Sequence, residues 1–135
     1  AEEAAAANGL HARFIRADVF EEFERLAATS ERFDVVIADP PPFVKSRQDL
    51  EPVKKAYRKL ARLAASIVAP DGFLLLASCS HNISSERFSQ ECAIGISRAN
   101  RRAALIRQSG AGPDHPVHPM LPETAYLKAL VYALD

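Results

Sequence analysis

The sequence predicts an α/β domain with a mainly parallel sheet. Three features carry this: compact apolar runs at Phe33–Ala38 and residues 73–78, an amphipathic stripe over residues 53–69, and the strand, helix, strand, helix, strand order in which such segments recur. Runs apolar on both faces suit parallel strands covered by helices on both sides.

Residues 1–7 are rich in Ala and Glu and read as a short helix stopped by Asn8-Gly9, too short to stand alone and so the tail of a longer one. Residues 12–17 alternate polar and apolar side chains and predict a strand ending at Asp18. Phe20, Phe23, Leu26 and Ala27 fall at helical spacing over residues 19–28, with acids early where the helix dipole favours them. The β-branched run Phe33–Ala38 is a strand closed by Asp39 and three prolines. In residues 53–69, Val53, Tyr57, Leu60, Ala61, Ala64, Ile67 and Val68 share one helical stripe, and Pro70-Asp71-Gly72 ends it. Residues 73–78 predict a second fully buried strand. Ser84 or Ser85 can cap a further helix with Phe88, Cys92, Ile96 and Ala99 inward. Residues 103–108 predict a strand, 110–122 a Gly/Pro-rich loop, and 126–134 a closing strand.

Composition bounds the function. The 135 residues carry 17 Lys+Arg against 17 Asp+Glu, so a wholly electrostatic nucleic-acid binder is not expected, although a local basic face is compatible with neutrality. No apolar run approaches the roughly 18 residues of a membrane helix, and no basic stretch followed by an apolar core marks a secretory leader, so a cytoplasmic location without membrane contact is expected. Cys79 and Cys92 make no disulfide framework, and no Cys/His cluster has zinc spacing, so no metal is expected. His115 and His118 read as loop residues.

Ligands of open α/β sheets bind beyond the carboxyl ends of the strands. Three polar clusters lie at such ends: Asp18, then Asp39-Pro40-Pro41-Pro42-Phe43, then Ser78-Cys79-Ser80-His81-Asn82. Proline fixes φ and removes donors, so the second cluster is a stiff extended wall with free carbonyls that holds Phe43 out for stacking; its structural alternative is a rigid turn with Phe43 tucked inward. Asp18 fits either a ligand contact or a simple helix cap. Cys92, in phase with an apolar helical stripe, reads as packing. Between Phe43 and Arg62, Lys45, Arg47, Lys54, Lys55, Arg58, Lys59 and Arg62 face only Asp49 and Glu51, a local excess suited to phosphate contacts or simply to a solvated helix surface.

Asp39-Pro40-Pro41-Pro42-Phe43 resembles the D-P-P-x-F motif of class I S-adenosylmethionine-dependent methyltransferases that act on nucleobases. Arg16-Ala17-Asp18-Val19-Phe20 looks like the family's adenine-side strand end. Ala77-Ser78-Cys79-Ser80 resembles the nucleophile segment of RNA cytosine-C5 methyltransferases. Asp114-His115-Pro116-Val117 and Leu121-Pro122-Glu123-Thr124-Ala125-Tyr126-Leu127-Lys128 are similar to the end of the large-subunit (23S) rRNA cytosine-C5 enzymes.

The resemblance implies a partial Rossmann-like sheet: strands 3, 4, 5, 6 and 7 of a 3-2-1-4-5-7-6 order, the last antiparallel and strands 1 and 2 missing. Residues 1–135 would then be the C-terminal portion of a single domain, because no Gly-rich turn precedes Asp18. An unpaired apolar edge at Phe33–Ala38 would favour self-association or cover by other protein. The implied reaction moves a methyl from S-adenosylmethionine to cytosine C5 in rRNA, with Cys79 as nucleophile at C6 and Asp39 as its acid or hydrogen-bond partner; the fragment alone would be inactive. Asp18, Val19, Phe20, Asp39 and Pro40 would bind the cofactor, and Pro41, Pro42, Phe43, Lys45, Ser80 and His81 the substrate, with Asn82 nearby. The second cysteine that better known RNA cytosine methyltransferases carry after the Asp-Pro motif is replaced here by Pro42 and Phe43. Guanine or adenine N-methylation on the same fold, or a non-catalytic RNA-binding module, are the alternatives.

Overall fold

A computed structural model of the chain describes residues 1–43 and 50–135, without the side chain of Leu50. Its elements are α1 (Glu2–Ala7), α2 (Val19–Ala27), β1 (Phe33–Ala38), α3 (Leu50–Ser66), β2 (Val68–Ser78), α4 (Ser85–Arg98), β3 (Ala103–Ser109), a 3-10 turn (Pro122–Thr124) and β4 (Lys128–Leu134). Four strands form one sheet in the order β1-β2-β4-β3. β1 and β2 run parallel from Val35↔Phe73 to Ala38↔Leu76, and β4 runs antiparallel to both β2 and β3. The mixed α/β sheet, with its last strand antiparallel to its neighbours, agrees with the fold class expected.

The inward phase of each strand meets the helices. Val36 and Ala38 of β1, Leu74 and Leu76 of β2, and Leu130, Tyr132 and Leu134 of β4 join Val53, Tyr57, Leu60, Ala61 and Ala64 of α3 and Phe88, Cys92 and Ile96 of α4 in one buried cluster. Ser84 caps α4, its Oγ accepting from the Arg87 backbone N–H at 3.2 Å, which satisfies one of the orphan donors of the first turn. α3 and α4 approach so closely that a Cβ on Gly95 would lie 2.5 Å from the Arg58 carbonyl oxygen and 2.7 Å from Ala61 Cβ. Only glycine fits that crossing.

Three expectations need correction. Residues 12–17 form no strand: they are exposed coil, because the neighbour that would pair with them is absent from the described sheet. The helix over 53–69 ends at Ser66, because Ile67 leaves it to accept the Phe33 N–H at 2.9 Å and Val68 pairs with Phe33. Within β2, Asp71 at φ 59° marks the irregularity between the Phe33↔Val68 and Val35↔Phe73 pairings. The strands are not buried on both faces. Val35, Ile37 and Phe73, in the opposite phase, are 57%, 64% and 43% exposed, so helices cover one side of this part of the sheet and leave the other open. Among the described residues no helix is long and apolar enough to cross a membrane.

Candidate functional site

Asp18 precedes α2 with extended backbone, and its Oδ1 accepts from the N–H groups of Phe20 (2.9 Å) and Glu21 (3.1 Å). It is a helix cap, and it also lines a cavity of about 610 Å³. The opposite wall of that cavity is Asp39, Pro40, Pro41 and Phe43 at the carboxyl end of β1, with Val19, Phe20, Phe23 and Leu60 between. The residues expected to hold a cofactor, Asp18, Val19, Phe20, Asp39 and Pro40, are therefore brought into one mostly apolar hollow. Such a lining, mostly apolar with two carboxyl groups among it, suits a flat heteroaromatic ring.

Phe43 corrects the stacking expectation. It is half-buried, stacked on Phe20 (centroids 5.9 Å, 28°) and edge-on to Tyr57 (4.9 Å, 70°), which in turn meets Phe88 (5.0 Å, 79°). Its ring gains more from this aromatic run than from water, so it is tucked inward and shapes the cavity wall. Pro42 is exposed and off that wall. Lys45, Arg47 and Asp49 lie outside the described residues.

One strand over, β2 ends at Ser78. Its Oγ lies 2.7 Å from the Tyr57 hydroxyl, both buried, and accepts from the Ser80 N–H at 3.2 Å. Ser80 is buried too: its Oγ accepts from the Asn82 N–H at 3.2 Å and its carbonyl accepts from Lys128 Nζ at 2.8 Å. This pins the turn that presents Cys79, and it corrects the expectation that Ser80 reaches substrate. Cys79 is half-exposed whereas Cys92 is buried, and burial pushes the Cys92 thiol far above its ordinary pKa. Asp39 directly follows β1 and Cys79 directly follows β2, so the two leave adjacent parallel strands at the same end of the sheet. Burial holds the Tyr57 hydroxyl above its ordinary pKa, and the Ser78 hydrogen bond opposes this.

His81 is exposed and stacks on Tyr126 at 4.5 Å, and His115 meets Tyr126 edge-on at 5.5 Å. Together with Ser84, Ser85 and Lys128, His81 and Tyr126 line a smaller hollow of about 270 Å³ beside the Cys79 turn. No group of three metal-ligating side chains occurs among the described residues. The basic face of α3 is partly neutralised. Lys54 pairs with Glu51, Arg58 with buried Glu91 at 2.6 Å, and Lys59 with Glu24 at 3.0 Å, while Lys55 and Arg62 carry no ion pair among the described residues.

Tyr57 and Lys128 were not singled out by sequence. Tyr57 is indistinguishable from core on a helical stripe. Lys128 left a usable signal, because it is in phase with the inward residues Leu130, Tyr132 and Leu134.

No family model matches the chain. Two solved structures described as methyltransferases share its fold over 98% of the chain at 22% identity. These are SMU.776 in complex with SAH and a SAM-dependent enzyme from Streptococcus mutans, each with a TM-score of 0.80. The chain thus shares the fold of these two proteins. TrmN from Thermus thermophilus is more distant, at TM-score 0.55. Among curated proteins, the Ribosomal RNA large subunit methyltransferase I of Photobacterium profundum is 38% identical over 125 residues, 90% of this chain and 32% of that protein. The protein of the same name from Pseudoalteromonas atlantica is 36% identical over 118 residues, 87% of this chain and 30% of that protein. The chain spans about a third of the length of the curated relatives it matches. The resemblance to large-subunit rRNA methyltransferases thus holds along nearly the whole chain.

Proposed function

We propose that this chain is the C-terminal portion of an S-adenosylmethionine-dependent methyltransferase domain that methylates C5 of a cytosine in large-subunit rRNA. The observation that carries the reading is the pair of strand ends: a carboxylate on the wall of the larger cavity and a half-exposed thiol directly follow neighbouring parallel strands, at the same end of the sheet. The similarity to rRNA large subunit methyltransferases supports rRNA as the substrate class, and the SAH bound to the structural neighbour supports the cofactor.

S-adenosylmethionine, when bound, supplies a methyl group on a sulfonium. Asp18, Val19, Phe20, Asp39 and Pro40 would hold it in the larger cavity. Cytosine C5 is a weak nucleophile. Addition of the Cys79 thiolate to C6 moves the ring electrons toward C5 and N3, and Asp39 in its carboxylic acid form donates its proton to N3 as negative charge develops there. C5 then takes the methyl group as its bond to the sulfonium breaks and leaves a neutral thioether, and loss of the C5 proton to water restores the C5–C6 double bond as the thiolate departs. A target base inside a helix must be swung out to reach this turn. His81 and Tyr126 offer an aromatic surface for it or its neighbour.

In the full-length protein, Cys79→Ala is expected to abolish methyl transfer to large-subunit rRNA while S-adenosylmethionine still binds by calorimetry. Retained methylation would move the assignment to a ring or exocyclic nitrogen of guanine or adenine. Absence of cofactor binding in the wild-type protein would leave an RNA-binding module.

A further inference from the structure

Lys128 opens β4 directly across from Ser78, the last residue of β2. It is only 8% exposed, a place where lysine is seldom found without a partner or a task. Two of its three N–H donors are spent on backbone: Nζ donates to the Ser80 carbonyl and the Tyr126 carbonyl, both at 2.8 Å. The third has no protein acceptor among the described residues. No carboxylate pairs with this ammonium among the described residues, so a positive charge is buried against neutral carbonyls at the turn that carries Cys79. Uncompensated burial of a cation is costly unless a negative group arrives.

We infer that Lys128 is a positioning residue for Cys79: its ammonium fixes the 79–80 turn through the Ser80 carbonyl and serves as the counter-charge of the Cys79 thiolate. Burial pulls Lys128 below its ordinary pKa, and negative charge on Cys79 opposes that pull, as expected of two neighbouring groups. The arrangement explains why a lysine is kept in a phase otherwise filled by Leu130, Tyr132 and Leu134. It also explains why the turn is braced from two strands rather than one.

The inference rests on Cys79 being the attacking thiol, and its test involves no methyl transfer. The rate of alkylation of Cys79 is measured in the full-length protein by peptide mass mapping near neutral pH. The buried Cys92 serves as an internal marker of the folded state. Lys128→Met is expected to slow iodoacetamide by about fivefold or more, since the thiolate is the reacting form, and Lys128→Arg to keep most of the wild-type rate. A merely structural lysine predicts the opposite, because a loosened turn exposes the sulfur. An unchanged or faster rate in Lys128→Met therefore overturns the inference. A second measurement needs no variant. Anionic iodoacetate should gain on neutral iodoacetamide at Cys79 relative to the same pair reacting with glutathione, and a ratio at or below that of glutathione overturns it. Failure here removes the role of Lys128 and leaves that of Cys79, whereas methylation by Cys79→Ala removes the role of Cys79.

Discussion

The hydroxyls of Tyr57 and Tyr132 lie in the core, and burial holds both above their ordinary pKa, Tyr132 at about 12. A phenol whose folded pKa exceeds its unfolded value favours folding only while neutral. Its contribution is complete below about pH 10 and is lost as pH rises toward about 12, a swing on the order of 2 kcal/mol for Tyr132. Urea midpoints measured from about pH 8 to about pH 11 are expected to fall steeply above pH 10, and Tyr132→Phe to flatten that fall. A variant as alkali-sensitive as the wild type would contradict this. At this scale the sequence is legible by phase. Lys128 in the inward register of β4 and Glu91 one turn after Phe88 on α4 both mark buried charge. What phase cannot reveal is the partner. Arg58, read as part of a phosphate-binding face, is held by Glu91, because that contact joins residues 33 positions apart. Phe43 looked outward for the same reason: the rings that hold it, Phe20 and Tyr57, come from two other elements.

The α3–α4 pair is the framework on which the site stands, since Tyr57 on α3 bonds to Ser78 at the end of β2. Gly95→Ala would drive a methyl into the Arg58 backbone and Ala61, and is expected to cost about 1–3 kcal/mol by overpacking, measured by chemical unfolding. Arg58→Met would strand the buried Glu91 carboxylate, with Arg87 remaining at 4.0 Å, and is expected to cost about 3 kcal/mol. The same pairing orders the basic residues of α3 by their availability to RNA. Lys55→Gln should weaken RNA affinity and lower its salt dependence, whereas Lys59, held by Glu24, should matter less. Equal effects in filter-binding titrations would contradict that ordering. Most elements could be read from periodicity and caps. The exceptions are instructive: residues 12–17 have strand alternation but no strand to pair with among the described residues, and residues 67–69 continue a helical stripe that pairing with Phe33 overrides.

For the whole molecule, the sheet order β1-β2-β4-β3 combines a parallel pair, β1 and β2, with an antiparallel return through β4. The open face was not legible, because Val35, Ile37 and Phe73 are as apolar as the covered residues and sequence pattern does not say which side a helix will cover. β1 is also an unpaired sheet edge. Such an edge beside an exposed apolar face is a template for pairing, so the 135-residue chain by itself is expected to associate with a second copy. Sedimentation at micromolar concentration should show species larger than a monomer, and a well-folded monomer would contradict this.

The central claim is that Cys79 adds to a cytosine whose C5 then accepts the methyl group. Large-subunit RNA carrying 5-fluorocytosine tests it most directly, because fluorine cannot leave as a proton and the adduct cannot collapse. With the full-length protein and S-adenosylmethionine, the account predicts a denaturant-stable protein–RNA adduct that maps to Cys79 by mass spectrometry and is lost in Cys79→Ala. No adduct with RNA that the enzyme does methylate, or an adduct on another residue, would contradict it.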